Sequence, residues 1–301
     1  MVLPTHGMRL DAEWVKVRYR LVGRRHNPVV PVLGGISADR RVDEWWVDLS
    51  GTGCALDPER YRLLSFDWHS CDDGRAVHSS DQALILARLF DELGIDRVET
   101  LVGASYGAMV GLAFAAQFPH RLGRLVAISG PHQSHPMSTA RRLVQRDILR
   151  LAAECRTPDR GVALARALAL TTYRPPELFE QRFAQTDAQA RLDDLHGYLR
   201  HVGSSFACRF DLNRYLSLSE SMDLHQVDPQ KIGCETHLVA VDTDELVPES
   251  QLEQLAGEIH GRVRLHRLRS VYGHDAFLKE PEVFNRLIRC IVEGADCHAL
   301  V

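Results

Sequence analysis

The sequence predicts an α/β fold: a mostly parallel central sheet flanked by helices, with a helical lid inserted into it. Three observations carry this. Short apolar strands alternate with amphipathic helices from about residue 28 to residue 128. Over about 135–230 the alternation stops, and helix follows helix, rich in Arg, Leu and Ala. It then resumes at His237 and continues to about residue 292. The chain divides accordingly into a core of 1–134 and 231–301 and a helical insert of 135–230.

Each element has its own signal. Trp14 to Val22 (WVKVRYRLV) alternates apolar and polar residues, which suits a strand with one exposed face. Pro28 to Leu33 is apolar and runs into Gly34-Gly35, as a buried strand followed by a loop does. Tyr61 to Phe66 reads as a short strand. Ser79 or Ser80 is placed to cap a helix that runs to about Gly94, with apolar residues at Ala83, Leu84, Ala87, Leu89 and Phe90. Val98 to Val102 is a strand, Tyr106 to Phe118 a helix closed by Pro119, and Leu125 to Ile128 a strand. Inside the insert, Pro175-Pro176 breaks the helices. Beyond it come a strand at His237 to Val241, a helix near Glu249 to Ile259, a strand at Val263 to Leu268 and a last helix from Pro281 to Val292.

Composition narrows the function. Of 301 residues, 45% are hydrophobic and 25% charged, which excludes a disordered chain. Lys and Arg number 36 against 40 Asp and Glu, so there is no basic excess for a nucleic-acid partner. No apolar run approaches the ~20 residues of a membrane span. Met1 to Arg9 lacks the pattern of a signal peptide, and a cytoplasmic location is expected. Cys54, Cys71, Cys155, Cys208, Cys234, Cys290 and Cys297 form no C-x-x-C pair and are odd in number, so reduced thiols are expected. The spacing of the 15 His and 7 Cys offers no metal site.

The chemistry starts at Leu101-Val102-Gly103-Ala104-Ser105-Tyr106-Gly107. An apolar strand, G-x-S-x-G and a small-residue helix make a nucleophile elbow, with Ser105 on the turn. A serine hydroxyl needs a base, and the base needs an orienting acid. In this arrangement they follow in the order Ser, acid, His. His274, in Tyr272-Gly273-His274-Asp275, is the base candidate. Asp244 and Asp242 compete as the acid after the strand ending at Val241; Asp244 lies further beyond the strand end and is preferred. Two backbone N–H groups must hold the oxyanion. Tyr106 supplies one, and the Gly34-Gly35-Ile36-Ser37 loop supplies the other, with Ile36 favoured.

Four segments resemble one family. Tyr272-Gly273-His274-Asp275-Ala276-Phe277-Leu278 is similar to a signature of the homoserine O-acyltransferases of the α/β-hydrolase superfamily. So are residues 164–177, the segment Arg209 to Leu216, and Asp244-Glu245-Leu246-Val247-Pro248. The resemblance implies an α/β-hydrolase fold and ping-pong acyl transfer from acyl-CoA to the hydroxyl of L-homoserine, within methionine biosynthesis. It implies no permanently bound cofactor, acyl-CoA as co-substrate, and small-molecule partners only. The family's substrate contacts map onto Arg174 and Asp275, a fixed cation and a fixed anion suited to an amino acid's two charges. Related folds pair insert helices between subunits, so a homodimer through the insert fits.

The sequence also departs from the family. Tyr106 stands where Met is usual, Ala104 where Gly is frequent, and the first loop reads Gly-Gly-Ile-Ser-Ala-Asp. Succinyl-using relatives can carry Arg two residues beyond the acid, where this chain has Leu246; that leans towards acetyl. Other arginines of the insert could supply the cation instead, so acetyl and succinyl both stay open. Serine as acceptor, and water as acceptor in an esterase, stay open too.

Overall fold

A computed structural model describes residues 1–10 and 12–295. Cys297 lies outside the described residues. Strands β1 (Val2–Pro4) and β2 (Trp14–Lys16) form a separate antiparallel pair. The main sheet holds β3 (Tyr19–Val22), β4 (Val29–Leu33), β5 (Arg62–Phe66), β6 (Val98–Ala104), β7 (Leu122–Ile128), β8 (Glu235–Val241) and β9 (Val263–Leu268). Its order is β3-β5-β4-β6-β7-β8-β9, with β3 antiparallel and every other pairing parallel.

The expected single strand over Trp14–Val22 is therefore two strands. The chain breaks at Val17-Arg18 because its halves serve different partners: Val17 N donates to Met1 O, whereas Arg18 O accepts from Asp67 N beside β5. The expected serine cap of the 79–94 helix also differs. The helix spans Ser79–Leu93, its N-cap is His78, and Ser79 Oγ bonds His225 Nδ1 at 2.7 Å instead. Gly94 closes that helix in the left-handed region, at φ 66°.

Helices cover both faces. Short α1 (Val42–Trp45) and α2 (Val47–Ser50) lie with the C-terminal α12 (Pro281–Val292) on one side, while α3 (Ser79–Leu93), α4 (Tyr106–Gln117) and α10 (Glu249–Glu258) lie on the other. The strands divide their side chains accordingly. Leu101, Leu125 and Leu238 join the α3–α4 core; the next residues, Val102, Val126 and Val239, join the α12 core. This is the two-residue period of strands buried on both faces.

Between β7 and β8 the chain forms α5 (Pro136–Glu154), α6 (Pro158–Tyr173), α7 (Pro176–Arg182), α8 (Ala188–Ala207) and α9 (Leu212–Asp223). Proline stands in the first turn of α5, α6 and α7, where its missing N–H costs nothing. Asp187 and Asp211 cap α8 and α9 by accepting from Ala190 N and Arg214 N. The entry and exit of this segment are tied together: Gln133 bridges Gln226, and Val227 N donates to His132 O at 2.9 Å. The helices thus sit as a unit over the carboxyl ends of β6–β8, beside which the short α11 (Ala276–Lys279) follows β9. Cys54, Cys71, Cys155, Cys208 and Cys234 are free thiols. No described helix is long and apolar enough to cross a membrane, and no described cluster of His, Cys, Asp and Glu could hold a metal ion.

Candidate active site

β6 delivers the chain into Ser105, whose backbone sits at φ 55°, ψ −119°. A non-glycine residue rarely adopts this conformation, and the surroundings must hold it there. Two glycines allow the necessary close approach. A Cβ on Gly103 would lie 2.4 Å from Gly107 O, and one on Gly107 would lie 2.1 Å from Leu33 O. Gly107 N donates to Gly34 O at 2.9 Å, stitching the elbow to the loop after β4. Buried α4 begins at the next residue, so its positive N-terminal end lies at the serine.

His274 meets Ser105 from the turn after β9. Its Nε2 lies 2.8 Å from Ser105 Oγ, and its Nδ1 lies 2.7 Å from Asp244 Oδ2. A carboxylate only accepts, so Nδ1 carries the hydrogen and Nε2 is left to take the serine proton. The turn bearing His274 needs Gly273 at φ 56°, where a Cβ would lie 2.8 Å from Tyr173 O. Burial pulls the His274 pKa down, but the charge and hydrogen bond of Asp244, with help from Asp275, more than offset it; the net shift is upward. Asp242, the competing acid, accepts from Ser270 N at 3.1 Å and braces the loop after β9.

Ile36 lines the cavity in front of Ser105, together with Gly35 and Ser37. Tyr106 starts α4, and its ring is fully buried: the hydroxyl bonds Ser221 Oγ at 2.7 Å and the ring meets Trp68 edge-on at 4.9 Å. Burial raises the Tyr106 phenol pKa. Trp68 Nε1 donates to Gly35 O at 2.9 Å, so the same aromatic pair braces the elbow and the facing loop.

The cavity measures about 290 Å³ and lies between the strand ends and the insert. Its lining includes Arg141, Arg142, Arg166 and Arg209, against Asp275 as the carboxylate among the described lining residues. Arg166 is stacked between Tyr173 and Phe206, 5.0 and 4.8 Å from the ring centroids, and its buried Nε has no partner among the described residues. Asp275 lines the cavity. Arg174 does not: its Nε donates to Asp275 Oδ2 at 3.1 Å and its Nη1 to the Tyr198 hydroxyl at 2.7 Å. The two predicted substrate contacts are thus each other's partner. Arg166, two helical turns earlier in the same segment, does line the cavity. The resemblance names Arg174 for the acceptor and leaves other arginines of the insert open for the acyl group; which of them reach the cavity depends on how α5, α6 and α9 pack.

Residues 30–281 match the family described as the alpha/beta hydrolase fold. The chain is 43% identical to a homoserine O-succinyltransferase of Xanthomonas campestris pv. campestris, over 88% of this chain and 76% of that protein. It is 30% identical to a homoserine O-acetyltransferase of Chlorobaculum tepidum, over 91% of this chain and 88% of that one. Among solved structures, it is similar to a homoserine O-acetyltransferase from Bacillus anthracis, with a TM-score of 0.81 at 15% identity, over 91% of each chain. Esterase E22 is equally close, at a TM-score of 0.81 and 19% identity, over 92% of this chain and 94% of that one. At these identities the structural matches establish the fold alone.

Proposed function

Since the chain belongs to the homoserine O-acyltransferases of the α/β-hydrolase fold, we propose that it moves an acyl group from acyl-CoA to the side-chain hydroxyl of L-homoserine through an acyl-serine on Ser105. One observation carries the reading: the Ser105–His274–Asp244 chain opens into a roofed cavity lined by four arginines, fit for anionic substrates.

The reaction has two halves. Ser105 gives its proton to His274 Nε2 while Oγ attacks the thioester carbonyl. The N–H groups of Tyr106 and Ile36 hold the resulting oxyanion. Collapse breaks the C–S bond, and the leaving thiolate takes the proton from His274. After CoA departs, the homoserine hydroxyl gives its proton to His274 and attacks the acyl-serine. The second collapse frees the ester, and His274 returns the proton to Ser105. Asp244 holds the imidazole in the useful tautomer throughout. Asp275 faces the acceptor's ammonium, Arg166 faces its carboxylate, and Arg174 orients Asp275. The insert keeps water from the acyl-enzyme.

No permanently bound cofactor is needed, and the setting proposed is cytoplasmic. The insert exposes Leu143, Val144, Leu151 and Leu164, which makes it the proposed pairing face of a homodimer, testable by sedimentation. The function is tested by following thiol release from acyl-CoA with homoserine, serine or water as acceptor. Homoserine-dependent release that disappears in Ser105→Ala is expected. Ester cleavage with no acyl-CoA-dependent release would replace the transferase by a hydrolase.

A further inference from the structure

The α5 wall of the cavity holds more positive charge than its neighbours cancel. Arg142 Nε donates to Asp223 Oδ1 at 2.7 Å, and Arg146 Nη1 donates to Asp223 Oδ2 at 2.7 Å. Two guanidiniums therefore share one carboxylate. The side chains of Arg142, Arg146 and Asp223 are only 11%, 4% and 8% exposed. A buried cation without its own anion is costly, so a negative ligand arriving here gains what the protein leaves unmatched. Arg142 lines the cavity, and Arg146 does not. Arg142 also donates from Nη2 to Ser134 Oγ, while the buried Nε of Arg146 has no partner among the described residues.

A second group points to the same ligand. Ser129 lines this cavity and is 1% exposed, and its hydroxyl has no partner among the described residues. Its backbone is held at φ 48°, a strained position for serine. Ser129 follows β7 directly after Ile128, whose carbonyl accepts from Ser105 N at 2.8 Å. An unpaired donor is thus fixed beside the nucleophile. α5 is itself pinned to the loop of the triad acid, because Ser138 Oγ donates to Leu246 O at 2.9 Å. Arg142 lies one helical turn beyond Ser138, on the wall that it shares with Leu246.

We infer that Arg142, with Ser129 Oγ as a second donor, binds the distal carboxylate of a dicarboxylic acyl group, so that the donor is succinyl-CoA rather than acetyl-CoA. The cation that Leu246 cannot provide comes from α5 instead. Arg166, on the Asp275 side, is left for the acceptor. The inference rests on the acyl-transfer reading and names its donor.

The test compares kcat/KM for succinyl-CoA and acetyl-CoA at fixed homoserine, in the wild type, Arg142→Met, Arg142→Lys and Ser129→Ala. A charge-assisted contact near a reacting centre is worth about 100-fold. The wild type is expected to favour succinyl-CoA. Arg142→Met should lower the succinyl-to-acetyl ratio about 100-fold, Arg142→Lys should lower it less, and Ser129→Ala should lower it about 5-fold. Arg142→Met leaves Arg146 and Asp223 as a one-to-one pair, so the variant is expected to fold, and a melting curve checks this. A wild type that prefers acetyl-CoA overturns the inference while acyl transfer stands. So does an equal loss for both donors, or a rise in the homoserine KM in place of the ratio change. CoA release with neither donor sinks the acyl-transfer reading itself.

Discussion

Asp244 bonds His274 Nδ1 through Oδ2 at 2.7 Å and accepts from Leu246 N and Val247 N through Oδ1, at 2.9 and 3.0 Å. The carboxylate is thereby locked by its own loop and aimed at the imidazole. Asp244→Asn removes the larger of the charges that raise the His274 pKa, leaving Asp275 to oppose burial, which lowers it. The raised pKa means that the neutral base forms only as pH climbs above the ordinary histidine value, so wild-type kcat/KM should rise with pH through that range. In Asp244→Asn the rate should fall by about 10⁴-fold and the acid limb should move to lower pH. Asp242→Asn should do neither. A pH–rate profile in which the two substitutions exchange these effects would reverse the assignment.

Gly107→Ala places a Cβ 2.1 Å from Leu33 O and disturbs the Gly107 N to Gly34 O bond. Relief requires the elbow and the Ile36 loop to separate. We expect a loss of about 1–3 kcal/mol in denaturant unfolding, with activity falling further than stability explains. A variant of wild-type activity would show that the oxyanion loop needs no such seating.

Arg166→Ala should raise the homoserine KM at least 10-fold, while the burst of CoA release from the first half-reaction changes less than about 3-fold. Arg174 acts through Asp275, so Arg174→Ala should raise the same KM. Adding Arg174→Ala to Asp275→Asn should then cost little more than Asp275→Asn alone. Full additivity in this cycle would separate the two residues.

Stability should fall in acid for a reason remote from the site. His237 Nδ1 and His266 Nε2 are 2.9 Å apart, with the rings stacked at 5.2 Å. Burial, and then the neighbouring His266, push His237 down to about 4; burial, and then Arg264, push His266 down to about 4. Between the usual ~6.5 and about 4, the unfolded chain therefore binds protons that the native state does not, so stability declines as pH falls through that window. The melting temperature should drop from pH 7 to pH 5, and His237→Gln should reduce the drop. An equal drop in both proteins would place the acid sensitivity elsewhere.

The sequence by itself determined the frame and its reactive points. Alternating strands and helices, the gap in that alternation over the insert, the glycines around Ser105 and the Gly-His turn are local signals, because strand period, tight turns and helix breaks depend on near neighbours. Its misreadings were local too. The Trp14–Val22 segment alternates as one strand, yet its halves pair with partners far apart in sequence. Ser79 looks like a cap, yet His225, 146 residues away, takes its hydroxyl. Only the tertiary structure decided which carboxylate faces His274, that Arg174 grips Asp275 instead of lining the cavity, and that Arg142 shares Asp223 with Arg146. These depend on where helices of the insert settle over the sheet. A charge shows in the sequence, but whether it is cancelled depends on residues about 80 to 100 positions away, which only packing brings within hydrogen-bond distance.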